Sequence, residues 1–141
     1  MSAAATRAVL DSSALLAYLG DEPGADVVAD AIAGGVSMST INLAETLSTL
    51  AARGSDPAKV VDTLTDRGLV NGAIAIEPFT TADAIETARL RPLTHEAGLS
   101  LADRGCLALT TRLATVALTA DHAWDGLELD VDVRIIREAA S

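Results

Sequence analysis

The sequence has few aromatics, one cysteine and one lysine, and each scarcity narrows what the chain can be. Phe, Trp and Tyr occur once each, so Ala, Leu, Val and Ile must build the core. Cys106 is the only cysteine, which excludes an internal disulfide and is compatible with a reducing compartment. Its place in an apolar stretch reads as a small core residue rather than a nucleophile. No Cys/His cluster with zinc spacing exists. The longest early apolar run, Ala14 to Leu19, is far too short to span a membrane. The opening MSAAATRAV has neither a basic start nor a long apolar region, so no signal peptide is expected and the protein is expected in the cytoplasm. Nine Arg and the single Lys59 stand against 20 acidic residues, giving a net charge of −10. Such a chain repels a phosphate backbone, which excludes tight non-specific nucleic-acid binding. A nucleic-acid enzyme of this charge needs metal ions and a local basic rim. Low-complexity tracts, repeats and linkers are missing too.

What remains is an apolar chain of ordinary domain size. The 141 residues, 50% of them hydrophobic, with mean hydropathy +0.34, suit one domain spanning residues 1–141. Part of that apolar surface is available to a partner. The most informative stretch runs from Gly98 to Trp124. Ser100-Leu101-Ala102-Asp103 has the form of a capping box, so a helix should start after Ser100 and run to about Arg112. Thr115 to Thr119 then reads as a buried strand, with Asp121 just past its end. A helix leading directly into a buried strand is half of a parallel α/β crossover, and ligands gather at the carboxyl ends of such strands.

Earlier in the chain, Arg7 to Leu10 reads as a strand delivering Asp11, with Ser12 or Ser13 capping a helix from Ala14 to Leu19. A second helix should start at Asp21-Glu22-Pro23 and end at Gly34-Gly35. Val36 to Ser39 is a further strand. Asn42-Leu43-Ala44-Glu45 again fits a capping box, which places Glu45 in the first turns of the next helix. Asp56-Pro57 opens another helix, and Ile74 to Glu77 reads as a strand. Thr80 to about Leu90 reads as a helix stopped by Pro92. A polar loop from Arg91 to Gly98 contains His95, and Val133 to Ile136 reads as the last strand. Strands alternating with helices argue for a parallel, doubly wound α/β domain.

Four acids stand out by position. Asp11, Glu45 and Asp121 each follow a strand, and parallel neighbours would align them along one edge of the sheet. Asp103 joins them if its helix start faces the same way. Crowded carboxylates raise one another's pKa unless a cation neutralises them, and hard oxygen ligands suit Mg²⁺ or Mn²⁺. A cation held this way activates water for in-line attack on phosphorus. Each acid also has a plain structural reading. Glu45 and Asp103 fit helix caps worth about 1 kcal/mol each, and Asp11 and Asp121 fit turn positions. Position alone leads to an acidic, metal-binding α/β domain and no further.

Four blocks add a resemblance: DSSALLAYL at Asp11, STINLAETLSTL around Glu45, GLSLADRGCLALTTRL around Asp103 and VALTADHAWDGL around Asp121. Together they resemble the motifs of PIN-domain ribonucleases, and more closely the VapC-like toxins of bacterial toxin–antitoxin pairs. The likeness runs from about Val9 to the C-terminus. It implies a three-layer sandwich with a central parallel sheet flanked by helices. It also implies a Mg²⁺- or Mn²⁺-dependent endoribonuclease held inactive by a small VapB-like antitoxin, as a homodimer or a toxin–antitoxin hetero-oligomer. Carried over by motif, Asp11, Glu45, Asp103 and Asp121 are the catalytic, metal-holding acids. Asp125 matches an acidic position found in some members. Ser12 and Thr119 match polar positions that support the site.

Departures are small. Ala102 and Gly105 exchange the small residues of the third block, and a helical glycine costs up to about 1 kcal/mol. His122 stands where Arg is frequent, and reads as an exposed turn residue. His95 reads as solvated. Arg104 has two roles open to it, a contact to RNA phosphate or to a structural carboxylate. Trp124 reads as packing under the final loop. Three other functions compete with the toxin. One is a phosphotransferase with Asp11 as nucleophile, which would need a second acid where Ser13 stands. The others are a housekeeping RNA-processing PIN nuclease and a non-catalytic binding module whose acids are helix caps.

Overall fold

A computed structural model describes residues 6–139. The first five residues of the segment read for a signal peptide therefore lie outside the described residues. The chain runs β1 (Val9–Leu10), α1 (Ser12–Leu19), α2 (Ala25–Ala33), β2 (Val36–Ser39), α3 (Thr40–Ala52), α4 (Pro57–Asp66) and β3 (Ile74–Glu77). It continues through α5 (Thr81–Arg89), α6 (Arg91–Thr94), α7 (Leu101–Leu113), β4 (Val116–Thr119), a 3₁₀ turn (His122–Trp124) and β5 (Asp132–Ile135). All four strand pairings are parallel, in the order β3-β2-β1-β4-β5. The chain builds outward from β1 to β3 and then returns to place β4 on the other side of β1. That reversal leaves a crevice at the carboxyl ends of β1 and β4, where open parallel sheets bind ligands.

Side chains that alternate along the central strands divide the core between the two faces of the sheet. Leu10 and Leu118 join Ala14, Leu15 and Ala17 of α1 and Val28 and Ile32 of α2 on one face. Val9 and Ala117 join Cys106, Leu107 and Leu109 of α7 and Trp124 on the other. The sheet is thus the middle of three layers. An unbroken run of α7, Arg104 to Thr110, is buried, because the helix lies against the sheet and is flanked by α3 and α5.

Strands β2 and β3 occupy the residues that the sequence predicts, and Ser100 and Asp103 form the expected capping box of α7. The start of α4 at Asp56-Pro57 and the end of α2 at Gly34 also agree, while several other boundaries shift. Asp11, not Ser12 or Ser13, caps α1, its side chain accepting from Ala14 N. Helix α2 begins after Gly24 rather than at Pro23. Gly24 has φ 95°, and a Cβ there would lie 2.8 Å from Ile136, so the turn requires glycine. Ser39 caps α3, which puts Asn42 inside the helix as a buried residue rather than at its cap. Helix α5 ends before Pro92 as expected, but Arg91–Thr94, expected to be loop, form the short α6 with Pro92 in its first turn. Strand β1 lacks Arg7 and Ala8, β4 starts one residue later than expected, and β5 ends one residue earlier. Among the described residues no helix is long and apolar enough to cross a membrane.

Candidate active site

The carboxyl ends of β1 and β4 carry the first and last of the four acids, and the second turn of α3 and the first turn of α7 carry the other two. Asp11 leaves β1 directly as the N-cap of α1 and is 3% exposed. Its Oδ1 accepts from Ala14 N at 2.8 Å, and its Oδ2 accepts from the Thr119 hydroxyl at 2.5 Å. The Ser13 hydroxyl spans both oxygens, at 2.7 and 2.9 Å. The same two hydroxyls also accept from the chain leading to Asp121. Ala120 N donates to Ser13 Oγ at 2.8 Å, and Asp121 N donates to Thr119 Oγ1 at 3.1 Å. Asp11 and the end of β4 are therefore one hydrogen-bonded unit.

Glu45 is half-buried in the second turn of α3, and Asp103 is half-buried in the first turn of α7. Asp103 Oδ2 accepts from Ser100 N at 2.9 Å. Asp121 is exposed and caps the 3₁₀ turn, its Oδ1 accepting from Ala123 N at 2.9 Å. Burial pushes the Asp11 carboxyl up to about 6, against hydrogen bonds from Thr119, Ala14 and Ser13 and with help from the charge of Asp103. Burial also raises Glu45, with Asp103 adding to it. Asp103 is raised by burial; its bonds to Ser100 oppose the shift and the charge of Asp121 reinforces it. Asp103 is thus within electrostatic reach of the other three, so its helix start does face the sheet edge.

The remaining candidates divide. Thr119 touches Asp11 directly. Ser12 turns away, its Oγ lying 3.0 Å from the Thr46 hydroxyl. Ser13, and not Ser12, is the serine on Asp11. Asp125 is exposed just past the 3₁₀ turn. Arg104 is 7% exposed and donates to the Thr87 carbonyl of α5 at 2.8 Å, which turns it away from solvent. Trp124 is 1% exposed and packs as expected under the final loop. His122 is exposed, with Nε2 2.7 Å from the Arg137 carbonyl. His95 is exposed in the loop before α7.

The donor set is made of oxygens alone, which fits a hard divalent cation. The Glu45 carboxylate, Asp103 Oδ1 and Asp121 Oδ2 carry no hydrogen bond among the described residues. The side chains as they stand do not enclose an ion: no group of three or more His, Cys, Asp or Glu among the described residues is arranged to hold a metal. Three of the four acids, Asp11, Asp103 and Asp121, each give a carboxylate oxygen to a helix-capping bond.

Among curated proteins, no sequence matches this chain. Several solved structures share its fold. A toxin–antitoxin complex from Klebsiella pneumoniae is 18% identical, with TM-score 0.69 over 94% of this chain and 99% of that one. FitAcB from Neisseria gonorrhoeae is 23% identical, with TM-score 0.65 over 89% and 94%. Mycobacterium tuberculosis VapC20, a toxin described as cleaving the sarcin–ricin loop, is 18% identical, with TM-score 0.60 over 84% and 89%. The PIN domain profile matches residues 8–128, from the start of β1 past the 3₁₀ turn, and this chain belongs to the PIN domain family.

Proposed function

We propose that the chain is a divalent-metal-dependent endoribonuclease and the toxin of a toxin–antitoxin pair, acting in the cytosol. What supports the reading is the placement of Asp11 and Asp121 at the carboxyl ends of the adjacent strands β1 and β4, tied together through Ser13 and Thr119, with Asp103 acting by its charge on Asp11 and Glu45 and feeling that of Asp121. These four would hold Mg²⁺ or Mn²⁺, with Asp125 at the rim. When bound, such a cation supplies an activated water and neutralises charge developing on the scissile phosphate. The chain's own contribution is placement. Ser13 and Thr119 hold the Asp11 carboxylate in one orientation, and the amides of Ala120 and Asp121 hold those hydroxyls in turn. Solved relatives of the same fold are toxins or toxin–antitoxin complexes, which supports an RNA substrate and an antitoxin partner. That partner would place a basic side chain, Arg above all, against the acids. The active toxin would be a homodimer, or a hetero-oligomer when inhibited.

Purified protein should cut single-stranded or looped RNA with Mg²⁺ or Mn²⁺ and stop when the ion is chelated. Asp11→Asn and Asp121→Asn remove a charged ligand at constant size and should lower cleavage by orders of magnitude. Near-wild-type, metal-dependent cleavage by Asp11→Asn would show that the site is elsewhere. The non-catalytic binding module has one observation in its favour, the use of Asp11, Asp103 and Asp121 in helix caps. It requires folded protein that cuts no RNA with either ion.

A further inference from the structure

Helices α3 and α7 meet more closely than their side chains would ordinarily permit, and the contact lies beside two of the four acids. Asn42 is fully buried in α3, and its Nδ2 donates to the Ala102 carbonyl of α7 at 2.9 Å. Asn42 lies one turn before Glu45 on the same face of its helix. Ala102 immediately precedes Asp103. Ile41, next to Asn42, lies against Gly105, three residues after Ala102. A Cβ on Gly105 would lie 2.8 Å from Ile41 Cγ2 and 3.3 Å from Phe79 Cε1, so only glycine allows this separation. The Thr46 hydroxyl donates back to the Asn42 carbonyl at 2.9 Å and lies 3.0 Å from Ser12, which ties the same turn of α3 to α1.

Asn42 is not the residue that stability alone would select. Its Oδ1 is buried without a hydrogen-bond partner, an arrangement that costs free energy and calls for a reason. Flipping the amide offers no escape, since Oδ1 would then face the Ala102 oxygen, acceptor against acceptor. Leucine has the same branched skeleton of four heavy atoms and leaves no polar atom of its own unpaired. What leucine could not do is hold the first turn of α7 at a hydrogen-bonded distance from α3.

We propose that Asn42 is a positioning residue that sets the separation of Glu45 and Asp103 through the α3–α7 contact. The inference rests on the reading above, in which those two acids share a cation. Mn²⁺ affinity of the full chain, measured by calorimetric titration beside metal-free thermal melts, tests it. Asn42→Leu should melt within a few degrees of wild type and bind Mn²⁺ at least about tenfold more weakly. Adding Asn42→Leu to Glu45→Gln should weaken binding by much less than it does alone, because coupled residues are not additive. Should Asn42→Leu fail to fold, Gly105→Ala makes the same test with Asn42 intact. It forces α3 outward through Ile41, should weaken Mn²⁺ binding, and should recover when Ile41→Ala is added. Wild-type Mn²⁺ affinity in Asn42→Leu or Gly105→Ala, with Glu45→Gln and Asp103→Asn both impaired, would overturn the role of Asn42 and leave the metal site standing. Equal Mn²⁺ responses in wild type, Glu45→Gln and Asp103→Asn would overturn both.

Discussion

Three donors favour the charged form of Asp11, yet burial outweighs them and raises its carboxyl from an ordinary 3.8 to about 6. A raised carboxyl stabilises the fold where it is protonated. That contribution is complete below about pH 4 and disappears as pH climbs through about 6. Its size is on the order of 3 kcal/mol, taking about 1.4 kcal/mol for each pKa unit. Asp11→Asn keeps an N-cap acceptor and cannot ionise. Without metal it should melt no lower than wild type at pH 7, and the difference should shrink toward pH 4. Parallel melting curves across that range would mean that Asp11 carries no such penalty. Ser13→Ala tests the neighbouring hydroxyl: it strips a donor from both Asp11 oxygens and leaves the Ala120 amide unpaired. It should cost about 1 kcal/mol of stability and reduce cleavage, and Ser13→Thr should restore much of both. Loss of stability with full cleavage in Ser13→Ala would reduce Ser13 to a structural role. The Ser12–Ser13 pair also shows where sequence reading stops. The two residues are identical neighbours, and helix phase alone separates them. With Asp11 as N-cap, the second helical residue faces the carboxylate while the first faces Thr46 on α3.

At the scale of elements, local signals with a single mechanism were legible and contacts between distant segments were not. The Ser100–Asp103 capping box was readable because both partners lie within one turn. Asn42 to Glu45 shows the same spacing and yet is no cap, since Ser39 at the end of β2 already starts the helix. Gly105 looked like a plain cost in an apolar helix; its reason is Ile41, more than sixty residues away in the chain. The half-buried Asp83–Arg112 pair joining α5 to α7 had no sequence signal either. Burial works to raise Asp83, but the Arg112 guanidinium and the bonds within its own capping box hold it below the usual carboxylate range. Its contribution is therefore present at neutral pH and lost as acid protonates it, below about pH 4. Arg112→Met should cost roughly 2 kcal/mol, less than a fully buried pair because Arg112 is itself partly exposed. Urea unfolding at pH 7 checks this, and an unchanged midpoint would dismiss the pair as a staple. Ser100→Ala isolates the cap from the acid beside it. It should cost about 1 kcal/mol with or without Mn²⁺, whereas Asp103→Asn keeps an acceptor for the Ser100 amide and should show its loss in the Mn²⁺ response.

Across the whole molecule, the net charge of −10 and the sheet order act together. The order β3-β2-β1-β4-β5 fixes where the acids meet. Several cations are already committed elsewhere, Arg89 to Glu86, Arg112 to Asp83 and Arg137 to Glu22. Among the described residues, Arg104 is the one cation whose charge acts to lower Asp103, and its guanidinium is held by the Thr87 carbonyl, so further relief of the cleft calls for a cation from outside the chain. A divalent ion and a guanidinium from an antitoxin are the two chemistries suited to it. Either one binds only the folded state, so each should stabilise the fold by mass action. At 100 times its dissociation constant, Mn²⁺ contributes about 2.7 kcal/mol, or roughly 5–10 °C in melting temperature for a chain of this size. If the two occupy the same acids they must also compete, so Mn²⁺ should loosen an antitoxin whose Arg sits in the cleft. Replacing that Arg with Ala should abolish the competition. Melts of wild type, Asp11→Asn and Asp121→Asn, first with chelator and then with Mn²⁺, separate these cases. Wild type should gain several degrees and the two variants should lose most of that gain. Identical shifts in all three would mean that these acids do not share a cation, and that the negative cleft is only a surface the fold tolerates.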